Sequence, residues 1–270
     1  MQPALLNYKT RGFNTLQEDI HQKETTHQAI FVIHGLFGTL DNLNGIARAL
    51  EEEHYVISVD VRNHGKSFQT QSMSYAEMAS DIIVLADHLG LSTFAVVGHS
   101  MGGKIAMQLA LDHPNRVTKL AIADMAPVGY HSRHDAIIQG LEAIQIQPPS
   151  SRKEADDILS TYIDEPGVRQ FLLKSLEKSG DVFGWQFHLS AIKENYSLII
   201  GPLEEGKSFH GEVLFIKGAD SDYILPQHRE ETIKRFPNSQ AKIISGAGHW
   251  LHAEKPAIFN RIVCNFIASK

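Results

Sequence analysis

The sequence has only one cysteine, Cys264, so no internal disulfide can form, and that usage fits a reducing compartment. Its plain reading is a buried apolar position on the last helix. Long hydrophobic runs are also missing. Stretches such as Ile82 to Ala86 fall far short of the ~20 residues needed to cross a bilayer, so no membrane span is expected. The start, Met1-Gln2-Pro3-Ala4, lacks the charged and continuously apolar regions of a secretory signal, and the chain reads as cytoplasmic. No dense basic stretch is present, and 25 Lys+Arg against 31 Asp+Glu leave a formal charge of −6, which argues against nucleic acid as a partner. There is no internal repeat and no low-complexity segment. With 43% hydrophobic and 21% charged residues, the chain is neither disordered nor fibrous, and its 270 residues suffice for one large core carrying an insertion.

In the first half, short β-branched runs alternate with helical patterns, the signature of βαβ units and a mainly parallel sheet with helices on both faces. Strands are expected at Ala29 to Ile33, Tyr55 to Asp60, Phe94 to Val97 and Leu120 to Ala123. Helices are expected at Tyr75 to Leu89 and Met101 to His113, the second stopped by Pro114. Residues 126–209 change character: helical segments are broken by Pro148-Pro149, Pro166-Gly167 and Gly201-Pro202, with no buried strand pattern. The expectation is a helical cap inserted into a core formed by residues 1–125 and 210–270. Val213 to Ile216 and Lys242 to Ile244 resume the strands, and Pro256 to Ile267 closes the chain as a helix.

Gly98-His99-Ser100-Met101-Gly102 carries the strongest chemical signal, because it follows an apolar strand and opens a helix. A serine on such a turn projects its hydroxyl at the sheet edge, and the small residues two before and two after it let neighbouring backbone come close. The alternative of a phosphate loop, Gly98 to Gly103-Lys104, fails because Ile105 stands where Mg²⁺ coordination needs Ser or Thr. Gly65-Lys66-Ser67 fails too, with Asp60 at the first glycine position, and no G-x-G-x-x-G follows an early strand. A serine nucleophile needs an imidazole held by a carboxylate. Of 15 histidines, His249 is the candidate base, since the loop Gly246-Ala247-Gly248 delivers it after a strand and before the final helix. His249 and His252 have the spacing of a metal pair but no completing ligands, so no metal is assigned. His34, His64 and His99 read as turn supports. His34-Gly35-Leu36-Phe37-Gly38 leaves the first buried strand, which nominates the backbone N–H groups of Leu36 and Met101 as an oxyanion hole. For the acid, Asp220 or Asp222 is favoured by position, because both follow the penultimate strand.

Together these elements resemble the α/β-hydrolase fold and, more narrowly, the small bacterial acyl esterases of the YbfF type. Beyond the segments above, the resemblance rests on Asp41-Asn42-Leu43, Arg62-Asn63-His64-Gly65, Asp124 with Ala126-Pro127-Val128, Phe171 to Ser175, Trp250, and His252 to Pro256, spanning nearly the whole chain. It implies a serine esterase or thioesterase acting on a small-molecule ester or acyl-thioester without metal or cofactor. It also implies that the acid is Asp124, one strand earlier than Asp222 or Asp220. The expected enzyme therefore uses Ser100, His249 and Asp124, with Asp222 and Asp220 as alternative acids. Phe37, Trp185 and Phe187 are candidate substrate contacts, alongside Phe171, Leu172 and Phe183 of the cap, although the cap's own core is the competing role for most of them. A cofactor-free perhydrolase on the same residues, with peroxide replacing water, is the enzymatic alternative. A ligand receptor on a hydrolase fold is the non-catalytic one.

Overall fold

A computed structural model of the chain describes residues 4–12 and 28–269. Met1, Gln2 and Pro3, on which the reading of the amino terminus rests, lie outside them. The first half runs β1 (Tyr8–Arg11), β2 (Ala29–Ile33), α1 (Asn44–Leu50), β3 (Tyr55–Val59), α2 (Tyr75–His88), β4 (Phe94–His99), α3 (Met101–Asp112) and β5 (Val117–Ala123). β2 and β3 are buried along their whole length, as expected of strands covered on both faces. Their side chains alternate between two cores. Phe31 and Ile33 pack with α2 and α3 residues such as Met78, Ile82 and Ile105. Ile30 and Val32 face the opposite layer, with Ile46 and Leu50 of α1.

Residues 126–209 hold α4 (Asp135–Ile146), α5 (Arg152–Ser160), α6 (Pro166–Leu173), β6 (Leu176–Ser179), β7 (Val182–Trp185), α7 (Leu189–Glu194) and α8 (Tyr196–Ile200). None of these joins the main sheet. The antiparallel β6–β7 hairpin differs from the all-helical expectation; its residues are mostly exposed, so it has no apolar alternation to betray it. The chain then returns through β8 (Glu212–Gly218), α9 (Arg229–Arg235), β9 (Ser239–Ile244), α10 (Leu251–Glu254) and α11 (Pro256–Ala268). Phe259 and Val263 of α11 complete the second core, and Cys264 is half-buried beside them against Ala49.

The seven strands of the main sheet are ordered β1-β3-β2-β4-β5-β8-β9, with β1 antiparallel to β3 and the other neighbours parallel. Sequence order reverses direction across β2, with β3 on one side and β4 on the other. The loops leaving β2 and β4 therefore diverge, and a crevice opens at their carboxyl ends. Among the described residues, no helix is long and apolar enough to cross a membrane.

Candidate active site

Ser100 stands at that crevice, between β4 and α3, with φ 55° and ψ −122°. This left-handed backbone is unfavourable for a residue with a Cβ and is held by the close packing of the turn. A Cβ on Gly98 would lie 2.3 Å from the Gly102 carbonyl oxygen, and one on Gly102 would lie 2.2 Å from that of Ile33. Both positions thus exclude any side chain, which is the physical content of the G-x-S-x-G spacing. Phe37, in the turn after β2, and Asp124, after β5, also have left-handed φ, 62° and 49°.

The loop after β9 brings His249 over the sheet edge. Gly246 turns it with φ +64°, and the Glu254 carboxylate accepts the Gly248 N–H at 2.7 Å. His249 Nε2 lies 2.9 Å from Ser100 Oγ, and its Nδ1 lies 2.8 Å from Asp124 Oδ2. Because a carboxylate only accepts, Nδ1 carries the proton and Nε2 is free to accept from the serine hydroxyl. Two further groups hold His249, one at its backbone and one at its ring. His99 Nε2 donates to the His249 carbonyl at 2.8 Å, and the Tyr223 ring stacks on the imidazole with centroids 3.7 Å apart at 14°.

Asp124 follows β5 and is fully buried. Its Oδ1 accepts the Gly218 N–H at 3.1 Å, and its Oδ2 accepts the Ser221 hydroxyl as well as His249. Asp220 and Asp222 flank Ser221 but are exposed. Asp222 instead pairs with Arg133 at 2.8 Å, and the Arg133 guanidinium lies 4.5 Å from the centroid of the Tyr223 ring. The loop after β8 therefore meets His249's carboxylate partner with hydrogen-bond donors, while the carboxylate itself comes from β5. Sequence reasoning passed over Ser221, Tyr223 and Arg133; their sequence signal was only their place beside the two candidate acids and just before α4.

Histidines organise the turn after β2. Val61 N–H donates to His34 Nε2 at 3.2 Å, leaving Nδ1–H for the Gly35 carbonyl at 2.7 Å. Phe37 N–H donates to His64 Nε2 at 3.1 Å, and His64 Nδ1–H donates to the Arg62 carbonyl at 3.0 Å. Burial pushes His64 down to about 3 and lowers His34 as well, so both stay neutral as this pattern requires. Leu36 lies in the same turn and Met101 opens α3, where a first-turn N–H has no acceptor within its helix.

A cavity of about 340 Å³ lies between this edge and residues 126–209, floored by Ser100 and His249 and walled by Ile163, Val168, Phe171, Leu172 and Trp250. Phe37 also lines it. Trp185, Phe187 and Phe183 stand outside that lining. The Trp185 indole N–H donates to the Leu141 carbonyl at 3.0 Å, and its ring stacks on Phe187 with centroids 5.1 Å apart. Phe187 in turn packs on Phe37 at 5.4 Å, so the expected substrate contacts Trp185 and Phe187 form a seam joining residues 126–209 to the β2 turn. Among the described residues, no group of three or more His, Cys, Asp or Glu could hold a metal ion.

Comparison with known proteins gives a consistent picture. A family model described as the alpha/beta hydrolase fold matches residues 28–154. The chain is 38% identical to the esterase YbfF of Escherichia coli, over 91% of this chain and 95% of that one. It is also 38% identical to the sn-1-specific diacylglycerol lipase of Mus musculus, over 91% of this chain and 82% of the relative. Among solved structures, a marine microorganism esterase superposes with a TM-score of 0.88 at 34% identity, covering 98% of this chain and all of the other.

Proposed function

The chain belongs to the α/β-hydrolase family, among its esterase- and lipase-type members, and from that membership we propose that it hydrolyses carboxylic esters or thioesters through an acyl-enzyme on Ser100. His249 Nε2 takes the serine proton as Oγ attacks the carbonyl carbon, and Asp124 holds the imidazole in the required tautomer and stabilises its protonated form. The N–H groups of Leu36 and Met101 receive the oxyanion. His249 then returns the proton to the departing alcohol or thiol. A water, deprotonated by the same nitrogen, attacks the acyl-enzyme and releases the acid and free Ser100. Residues 126–209 act as a cap that shields these steps and supplies the apolar walls for the substrate.

The observation supporting this reading is the unbroken line of hydrogen bonds from Ser100 through His249 to Asp124 at the floor of an apolar cavity. The experiment is labelling with a fluorophosphonate probe beside hydrolysis of p-nitrophenyl acetate. Probe attachment at Ser100 is expected, along with loss of about 10⁶ in kcat in Ser100→Ala at unchanged circular dichroism. Hydrolysis by Ser100→Ala within tenfold of the parent would overturn the assignment. Adding peroxide and scoring bromination separates perhydrolysis from hydrolysis.

A further inference from the structure

The site has two lobes of very different size that meet at Ser100. The outer lobe is the 340 Å³ cavity that includes His249, Trp250 and Phe171. The inner lobe encloses only about 30 Å³ and is bounded by Met101, Met125, Tyr75, Tyr130 and Ile199. Leu36, Ser100, Arg133, His134 and Tyr223 border both.

Resting on the esterase reading above, we infer that the preferred substrate joins a short acyl group, of about two to four carbons, to a large apolar alcohol or thiol. The tetrahedral carbon on Ser100 Oγ carries three other substituents: the oxyanion, the leaving group and the acyl chain. The leaving atom must face His249 Nε2 to receive its proton, and His249 borders only the outer lobe. The oxyanion is held between Leu36 and Met101. What remains for the acyl chain is the inner lobe, whose volume matches one or two small groups rather than an extended alkyl chain.

Its walls are braced against expansion. Tyr75 donates its hydroxyl to the Ile199 carbonyl at 2.6 Å, and Tyr130 donates to the Tyr223 carbonyl at 2.8 Å while accepting the Ala126 N–H at 2.9 Å. Behind them Lys104 is fully buried, donating to the Gly201 and Ile200 carbonyls at 2.5 and 3.4 Å, with its ammonium 4.9 Å from the Tyr130 ring centroid. Enlarging the lobe means breaking these bonds, so an acyl chain too long by one methylene loses on the order of tenfold or more. A longer alcohol in the outer lobe gains apolar burial with each methylene.

Two ester series test this. In the first, p-nitrophenyl esters from acetate to dodecanoate vary the acyl chain against one leaving group. In the second, acetates of linear alcohols from ethanol to dodecanol are followed by pH-stat. The expected result is a fall of at least tenfold in kcat/KM between four and eight acyl carbons, against a rise through eight alcohol carbons. Ile199→Ala should raise the octanoate-to-acetate ratio of kcat/KM at least tenfold, with the order of preference along the alcohol series kept; should it fail to fold, Ile199→Val should give the same shift in smaller measure. A preference for long acyl chains, flat profiles in both series, or no response to either Ile199 variant in folded protein would overturn the inference. If Ser100 is labelled and esters are cleaved with the opposite preference, the inference alone fails. With neither labelling nor cleavage, the esterase reading fails and takes the inference with it.

Discussion

Replacing Asp124 by Asn tests the site where it is most exposed to error, because the side chain keeps its size and loses only its charge and one acceptor. Asp124 accepts three hydrogen bonds, from Gly218 N–H at 3.1 Å, from the Ser221 hydroxyl, and from His249 Nδ1–H at 2.8 Å. An amide offers one acceptor oxygen and an NH₂ that must meet one of those donors. If the NH₂ turns to His249, Nδ1 must accept, the proton moves to Nε2, and the base can no longer take the proton of Ser100. If it turns to Gly218, a buried N–H is left unpaired at a cost of about 1–3 kcal/mol. The first outcome removes both the tautomer and the counter-charge of the imidazolium, a loss of about 10⁴ in kcat or ~5.4 kcal/mol of transition-state stabilisation. Asp222→Asn breaks only a solvent-exposed pair with Arg133, worth about 0–1 kcal/mol, and Asp220→Asn alters an exposed side chain. The assay is kcat for p-nitrophenyl acetate in all three variants, with thermal unfolding to show that each is folded. Asp124→Asn retaining a tenth of the parent kcat, or Asp222→Asn losing more than tenfold, would refute the assignment of the acid.

Trp185→Ala and Phe187→Ala should lower the unfolding midpoint, Phe187 by the ~3–5 kcal/mol of a buried aromatic and half-buried Trp185 by less, while leaving the order of preference in both ester series unchanged. A shifted chain-length profile at unchanged stability would return them to the cavity wall. Gly102→Ala should yield no soluble folded protein, since its Cβ would meet the backbone oxygens of Ile33 and His34 at 2.2 and 2.5 Å; a folded variant seen by circular dichroism would contradict this. Stability should fall in acid: burial holds His64 at about 3 in the folded chain against an ordinary 6.5, so the unfolded chain binds more protons between those values and ΔG drops as pH falls through that window. His64 alone accounts for about 2 kcal/mol between pH 7 and 5, and a urea titration showing no loss over that range would refute the neutral buried ring.

What could be read from the residues follows from how local each constraint is. The β2 and β3 runs are continuous because both faces are covered, and Ser100 is legible because two neighbouring glycines answer a backbone approach that nothing larger permits. Lys104 shows the opposite case: its spacing to Gly98 and Gly103 invites a phosphate, and only the fold reveals that it turns inward to the carbonyls ending α8, where burial brings it down to about 7. β1 and β9 sit at the sheet edges with polar, partly exposed residues, so β1 carries no periodicity and β9 begins three residues before the apolar pattern does. Which carboxylate faces His249 belongs to the same class of long-range facts. β5 and β8 are neighbours in the sheet, paired from Lys119 with Glu212 to Ala123 with Ile216, and neighbouring strands lie ~4.8 Å apart. Their carboxyl ends thus deliver side chains to nearly one point beneath His249, and a carboxylate leaving either strand reaches it. Strand order alone therefore leaves Asp124, Asp220 and Asp222 equivalent. The distinction is burial: the two aspartates after β8 stay at the surface, and the serine between them points inward to hold the one that comes from β5.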